Sequence, residues 1–279
     1  MRSDLGALAV IAALVAAYVA GVTRMRDHTP GTASPSPVHI GAFAAGGITL
    51  IVALASPLDA RADTSLTAHM VQHMLLLGVA APLLVVGDVL GVLPWVLPDD
   101  RRRRWQRPLR RMSRSRHGRV AFWAAVGLVA QTAVVVAWHI PKPYDAAAAN
   151  PALHAVEHAS FIGVSMFFWW ILLGAGRGDR FAAGVLALFV GTLPLSALGV
   201  FMTLARTPWY PRYIGSSTAS ALRDQQVAGV IMWGFGGMAA AVGAAAFFAS
   251  WLQSLERRDP ARGPGVREPR APEPGRVPA

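Results

Sequence analysis

Two short runs carry the residue types with chemistry to offer: Ala68-His69-Met70-Val71-Gln72-His73-Met74 and His154-Ala155-Val156-Glu157-His158. In each, two histidines stand four apart, so on a helix their imidazoles share one face, one turn above the other. Neutral imidazole is a common metal ligand. The chain has no Cys, so it holds no disulfide framework, no zinc-finger spacing and no thiolate nucleophile. Any metal must be held by His, Met, Asp, Glu or backbone oxygen. Imidazole with thioether is a soft donor set that suits copper, Cu(I) especially, and serves Mg or Ca poorly. The chain also lacks the G-x-S-x-G and GK[ST] patterns of hydrolases and P-loop enzymes.

The segments that position these residues are apolar. The chain has 279 residues, 54% hydrophobic and 15% charged, against about 25% charged in soluble domains. Seven segments are long enough to cross a bilayer: residues 5–22, 39–55, 69–90, 120–138, 153–173, 181–205 and 226–252. The expected fold is an all-α integral membrane protein, a bundle of seven transmembrane helices over residues 1–255. The first segment exceeds the 7–15-residue core usual in signal peptides and reads as a retained helix. Residues 256–279, rich in Pro and Arg without apolar periodicity, read as a disordered cytoplasmic tail.

Charge sets the expected orientation. The net charge is +11, but the arginines cluster in loops and the tail. That pattern marks membrane topology rather than nucleic-acid binding. Alternate loops together with the tail hold twenty Lys and Arg residues, ten of them in 94–119, against six on the other side. The positive-inside rule then puts the N-terminus outside and the C-terminus inside. The arginine-rich loop reads equally as an amphipathic helix on anionic lipid or as a plain topology anchor.

This topology gathers polar groups at the outer leaflet. His69 and His73 open the third span, His139 closes the fourth, and His154 and His158 open the fifth. His28, His39 and His117 fall on the other side and read as solvated or interfacial. Ionisable groups at membrane depth are costly and usually functional. One histidine at a helix end is ordinarily a polar cap; two doublets and a fifth ring at one level point to a shared site. The expected metal ligands are His69, His73, His139, His154 and His158, with thioethers from Met70, Met74 and Met232. Methionines also fill cores, so packing competes for Met70, Met74 and Met202. Glu157, Asp145, Asp224 and Gln225 stand at the same level, where carboxylates and amides can orient a ligating ring through its second nitrogen. Asp224 has a competing role, capping the seventh helix. A bis-histidine haem or quinone site, or a metal or small-solute transporter, would use the same bundle.

Ordered pieces of the chain resemble the CtaG-like cytochrome c oxidase assembly factors. They are His69-Met70-Val71-Gln72-His73-Met74-Leu75-Leu76 with Ala81-Pro82-Leu83-Leu84, Trp138-His139-x-Pro141, Tyr144-Asp145, and His154-x-x-Glu157-His158 with Phe168-Trp169-Trp170. Leu193-Pro194-Leu195-Ser196, Trp209-Tyr210-Pro211-x-Tyr213 and Asp224-Gln225-Gln226-x-x-Gly229-x-Ile231-Met232-Trp233 complete the set. The resemblance implies a multi-span protein of a bacterial plasma membrane that helps assemble haem–copper oxidase. It implies copper as the cargo, and oxidase subunits or their assembly intermediates as partners.

Overall fold

In hydrocarbon, backbone polar groups must be satisfied within the protein, so long apolar segments fold as helices. The computed structural model describes residues 2–28, 34–113, 117–175, 181–215 and 217–256. Seven of its helices are long and apolar enough to cross a membrane, as the apolar runs predict. Among the described residues there is no strand. The tail expected to be disordered lies, from residue 257, outside the described residues.

The helices run in order α1 (Arg2–His28), α2 (Pro37–Leu54), the short α3 (Pro57–Ala62) and α4 (Leu66–Leu75). A π-helical turn, Leu76–Ala80, joins α4 to α5 (Ala81–Val86), followed by α6 (Val89–Val92), a 3-10 turn, and the arginine-rich α7 (Asp99–Ser113). Then come α8 (His117–His139), α9 (Pro141–Ala149), α10 (Pro151–Ala175), α11 (Phe181–Leu204) and α12 (Thr218–Glu256).

Several boundaries differ from the sequence expectation. Arg24 and Arg26, expected in a loop, lie in the last turns of α1, where cations complement the helix dipole. Asp145, also expected in a loop, lies on α9, which starts with Pro141 near its N-terminus, a favoured place for proline. The seventh helix begins at Thr218 rather than residue 226. Its 39 residues make a rod of about 58 Å, well beyond a hydrocarbon core of about 30 Å. The arginine-rich loop is helical; there Arg102 pairs with Asp99 at 3.0 Å and lies 3.9 Å over the Trp95 ring.

The third span is the centre of the bundle. More than half of it, 56%, is buried, against 19% to 39% of every other span. Its π turn, in which Ala81 N–H bonds to the Leu76 carbonyl, leaves the next carbonyl without a backbone donor. In π geometry the Leu77 carbonyl would accept from the residue five further on, which is Pro82 and has no N–H. Ser165 (2.7 Å) and Trp169 (3.3 Å) of α10 donate to Leu77 instead. The irregular turn thereby ties α10 to the third span. α11 and α12 meet more closely: a Cβ at Gly199 would lie 2.8 Å from the Gly229 carbonyl oxygen. Small residues let transmembrane helices approach in this way.

Three apolar clusters fill the bundle. One joins α1 and α2 to the end of the third span through Tyr18, Phe43, Leu84 and Val92. A second, around Phe168, Leu172 and Leu188, joins α10 to α11. The third holds Leu66, Met70, Met74, Val135, Tyr144, Phe161, Met202, Tyr210 and Met232. It packs the end of the bundle where the histidines collect.

Candidate metal centre

The centre is built on α4, and the start of α4 is held from two sides. Ser65 caps it, accepting from Ala68 N–H at 3.3 Å. Asp224, reaching across from α12, accepts from Leu66 N–H (2.7 Å), Thr67 N–H (3.2 Å) and the Ser65 hydroxyl (3.1 Å). This corrects the expectation that Asp224 caps the seventh helix. α12 starts six residues before it, and the carboxylate serves the N-terminus of α4, where unpaired N–H groups and the helix dipole favour an anion.

With α4 so placed, the two doublets face each other. Ring centroids are 4.2 Å apart within each pair, His69–His73 and His154–His158. Across the helices, His69–His154 and His73–His158 are each 5.4 Å apart. His139, at the end of α8, joins them with its centroid 6.1 Å from that of His73. One ligand atom each from His69, His73, His154 and Glu157 falls within 4.8 Å of the others. The structure thus brings together all five histidines that the sequence singled out. Glu157, expected to orient a ring, sits among the ligand atoms themselves, its Oε1 3.8 Å from His73 Nε2.

These donors have no protein partner. The Nε2 atoms of His69, His73, His139, His154 and His158, together with Glu157 Oε1 and His73 Nδ1, are buried without a hydrogen bond. Buried polar atoms are ordinarily paired, and an orphaned one costs about 1–3 kcal/mol. Seven such atoms lie on these six side chains, and the four ligand atoms of His69, His73, His154 and Glu157 are close enough together to hold a metal ion. Imidazole nitrogen with carboxylate oxygen suits copper, zinc, iron or nickel. His69, His73, His139, Glu157 and His158 are buried, while His154 is partly exposed, although its Nε2 is buried.

The far nitrogens fix the rings. His139 Nδ1 lies 2.7 Å from the Val135 carbonyl, so it carries the proton and leaves Nε2 a lone pair. His69 Nδ1 faces the Tyr213 hydroxyl at 3.5 Å. Tyr213 in turn donates to the Ala62 carbonyl at 3.0 Å and pairs with the Tyr144 hydroxyl at 2.7 Å. Tyr210 donates to the His139 carbonyl at 2.9 Å. Burial pushes the Tyr213 phenol up to about 12 and those of Tyr144 and Tyr210 well above the ordinary range. All three therefore keep their protons near neutral pH. These tyrosines were not among the site residues expected. The signal for them is the run Trp209-Tyr210-Pro211-x-Tyr213, at the same end of the bundle.

Other expected residues fall further out. Gln225 accepts from Trp209 N–H at 2.6 Å and so holds the segment that carries Tyr210 and Tyr213. Burial pushes the Asp145 carboxyl up, with Arg212 opposing. Met70 and Met74 each follow a histidine by one residue, about 100° round α4. Together with Met232 and Met202 they are buried in the apolar cluster.

A family model described as cytochrome c oxidase caa3 assembly factor (Caa3_CtaG) matches residues 16–254. The chain belongs to that family. The match takes in part of α1 and all but the end of α12, and with them every residue of the histidine cluster. No curated protein and no solved structure shows significant similarity to the chain.

Proposed function

We propose that this oxidase assembly factor binds copper at His69, His73, His139, His154, His158 and Glu157 and passes it to the catalytic subunit of haem–copper cytochrome c oxidase. The observation that carries this reading is the cluster of buried donors without hydrogen bonds on these side chains, four of which bring a ligand atom within 4.8 Å of one another. Copper is cargo here, and the role is non-enzymatic. The twenty-to-six bias of Lys and Arg puts the N-terminus outside, the C-terminus inside and the cluster at the outer face of a bacterial plasma membrane. Ions from outside then arrive at His154, the most exposed of these side chains. Val135 and Tyr213 hold the His139 and His69 rings with Nε2 turned to the ion, and Glu157 supplies negative charge against it. Met70, Met74 and Met232 give the pocket an apolar wall that carries the softer thioethers.

A bis-histidine haem fits this arrangement poorly. The rings of α4 and α10 lie 5.4 Å apart, and His69 and His154 stack on each other at 22°. A macrocycle would have to displace them.

The test uses cells lacking this protein and complemented with wild type or His73→Ala. The variant should reach the membrane at the wild-type level yet support little oxidase activity when copper is scarce, and added copper should restore activity. Full oxidase activity from His73→Ala at low copper would contradict the proposal.

A further inference from the structure

We infer that the cluster provides two adjacent metal positions that share His73. The inference rests on reading the cluster as a copper site, and it concerns how many ions that site takes and which side chains divide them. Three observations carry it.

The first is number. Six neighbouring side chains carry seven buried donor atoms without a hydrogen bond, whereas zinc-type sites usually use about three or four protein ligands per ion. The second is grouping. Among the described residues, His69, His73, His154 and Glu157 form the group whose ligand atoms lie within 4.8 Å of one another. His139 and His158 lie outside that group, yet both pack against His73, at centroid distances of 6.1 Å and 5.4 Å. The Nδ1 contact of His139 with Val135 leaves only its Nε2 to serve the cluster.

The third observation is His73 itself. It is fully buried, 0% exposed, and neither ring nitrogen makes a hydrogen bond, Nε2 having the Glu157 carboxylate at 3.8 Å. A neutral imidazole carries one N–H, so a single ion on one nitrogen would leave a buried donor orphaned on the other. An ion on each side resolves both. One position takes His69 Nε2, His73 Nε2, His154 Nε2 and Glu157 Oε1. The other takes His73 Nδ1, His139 Nε2 and His158 Nε2. With both positions occupied, His73 would offer one ring nitrogen to each cupric ion and would release its single N–H proton to solvent, with no change of oxidation state.

The experiment titrates purified, metal-free full-length protein in nanodiscs with cupric ion and follows bound copper and the electron paramagnetic resonance spectrum. Wild type should bind two equivalents. The first should give a mononuclear cupric signal, and the second should attenuate it through spin coupling across the shared ring. His139→Gln and His158→Gln should each bind one equivalent with an uncoupled signal. A wild type that saturates at one equivalent overturns the two-position inference and leaves the copper site standing. Two equivalents with two uncoupled signals overturn the shared His73. A wild type that binds no copper removes the underlying reading as well. Each of these outcomes is read on the wild-type protein, so the inference stays falsifiable if a variant fails to fold.

Discussion

Tyr213 illustrates how a residue outside the ligand set governs it. Its hydroxyl faces His69 Nδ1, meets Tyr144 and donates to the Ala62 carbonyl. Partners of this kind commonly contribute about 10–100-fold in metal affinity. Tyr213→Phe keeps the ring and removes the hydroxyl, so copper affinity should fall by roughly that factor at unchanged stoichiometry, as measured by competition with a chromogenic chelator. Unchanged affinity would detach Tyr213 from the centre. At this scale the histidines were legible in the sequence because i, i+4 spacing fixes which rings share a face. Glu157 was legible as a neighbour of the rings but not as a member of the ligand group. That depends on the distance between α4 and α10, which spacing along one helix does not encode. The tyrosines were hidden for a related reason: they sit on α9 and in the segment before α12, and only tertiary packing turns their hydroxyls toward the histidines.

At the scale of elements, α4 is the part that must not move, and Asp224 fixes it. The contact spans 158 positions in sequence, so local pattern pointed to the helix that carries Asp224 rather than the helix it caps. Removing a helix cap costs about 0.5–2 kcal/mol. Asp224→Ala should therefore lower the thermal midpoint in detergent and weaken copper binding without changing its stoichiometry. Asp224→Asn keeps one oxygen acceptor and should fall between Ala and wild type. An Asp224→Ala protein as stable as wild type would show that Ser65 alone suffices. The π turn was likewise not foreseen as a break. Pro82 was visible as a missing donor, but Ser165 and Trp169 as replacement donors to Leu77 depend on how α10 packs.

At the scale of the whole molecule, seven spans were legible because hydrocarbon leaves a chain few choices: apolar runs of this length form helices. What the runs did not disclose was that the third span lies at the centre. That follows from packing, and it explains why the first histidine doublet is buried. The orientation of the bundle makes a separate prediction. A reporter active only outside the cytoplasm should work when fused at the N-terminus or after Lys142, and fail after Arg103 or at the C-terminus. External activity after Arg103 would place the histidine cluster on the cytoplasmic side and contradict delivery from outside. The central claim is that the two doublets bind copper. Its most direct test is elemental analysis of purified, copper-equilibrated protein, comparing wild type with a variant in which His69, His73, His154 and His158 are all alanine. Wild type should hold stoichiometric copper without haem, and the variant should lose copper while still eluting as a folded protein; equal copper in both would show that the doublets do not bind it.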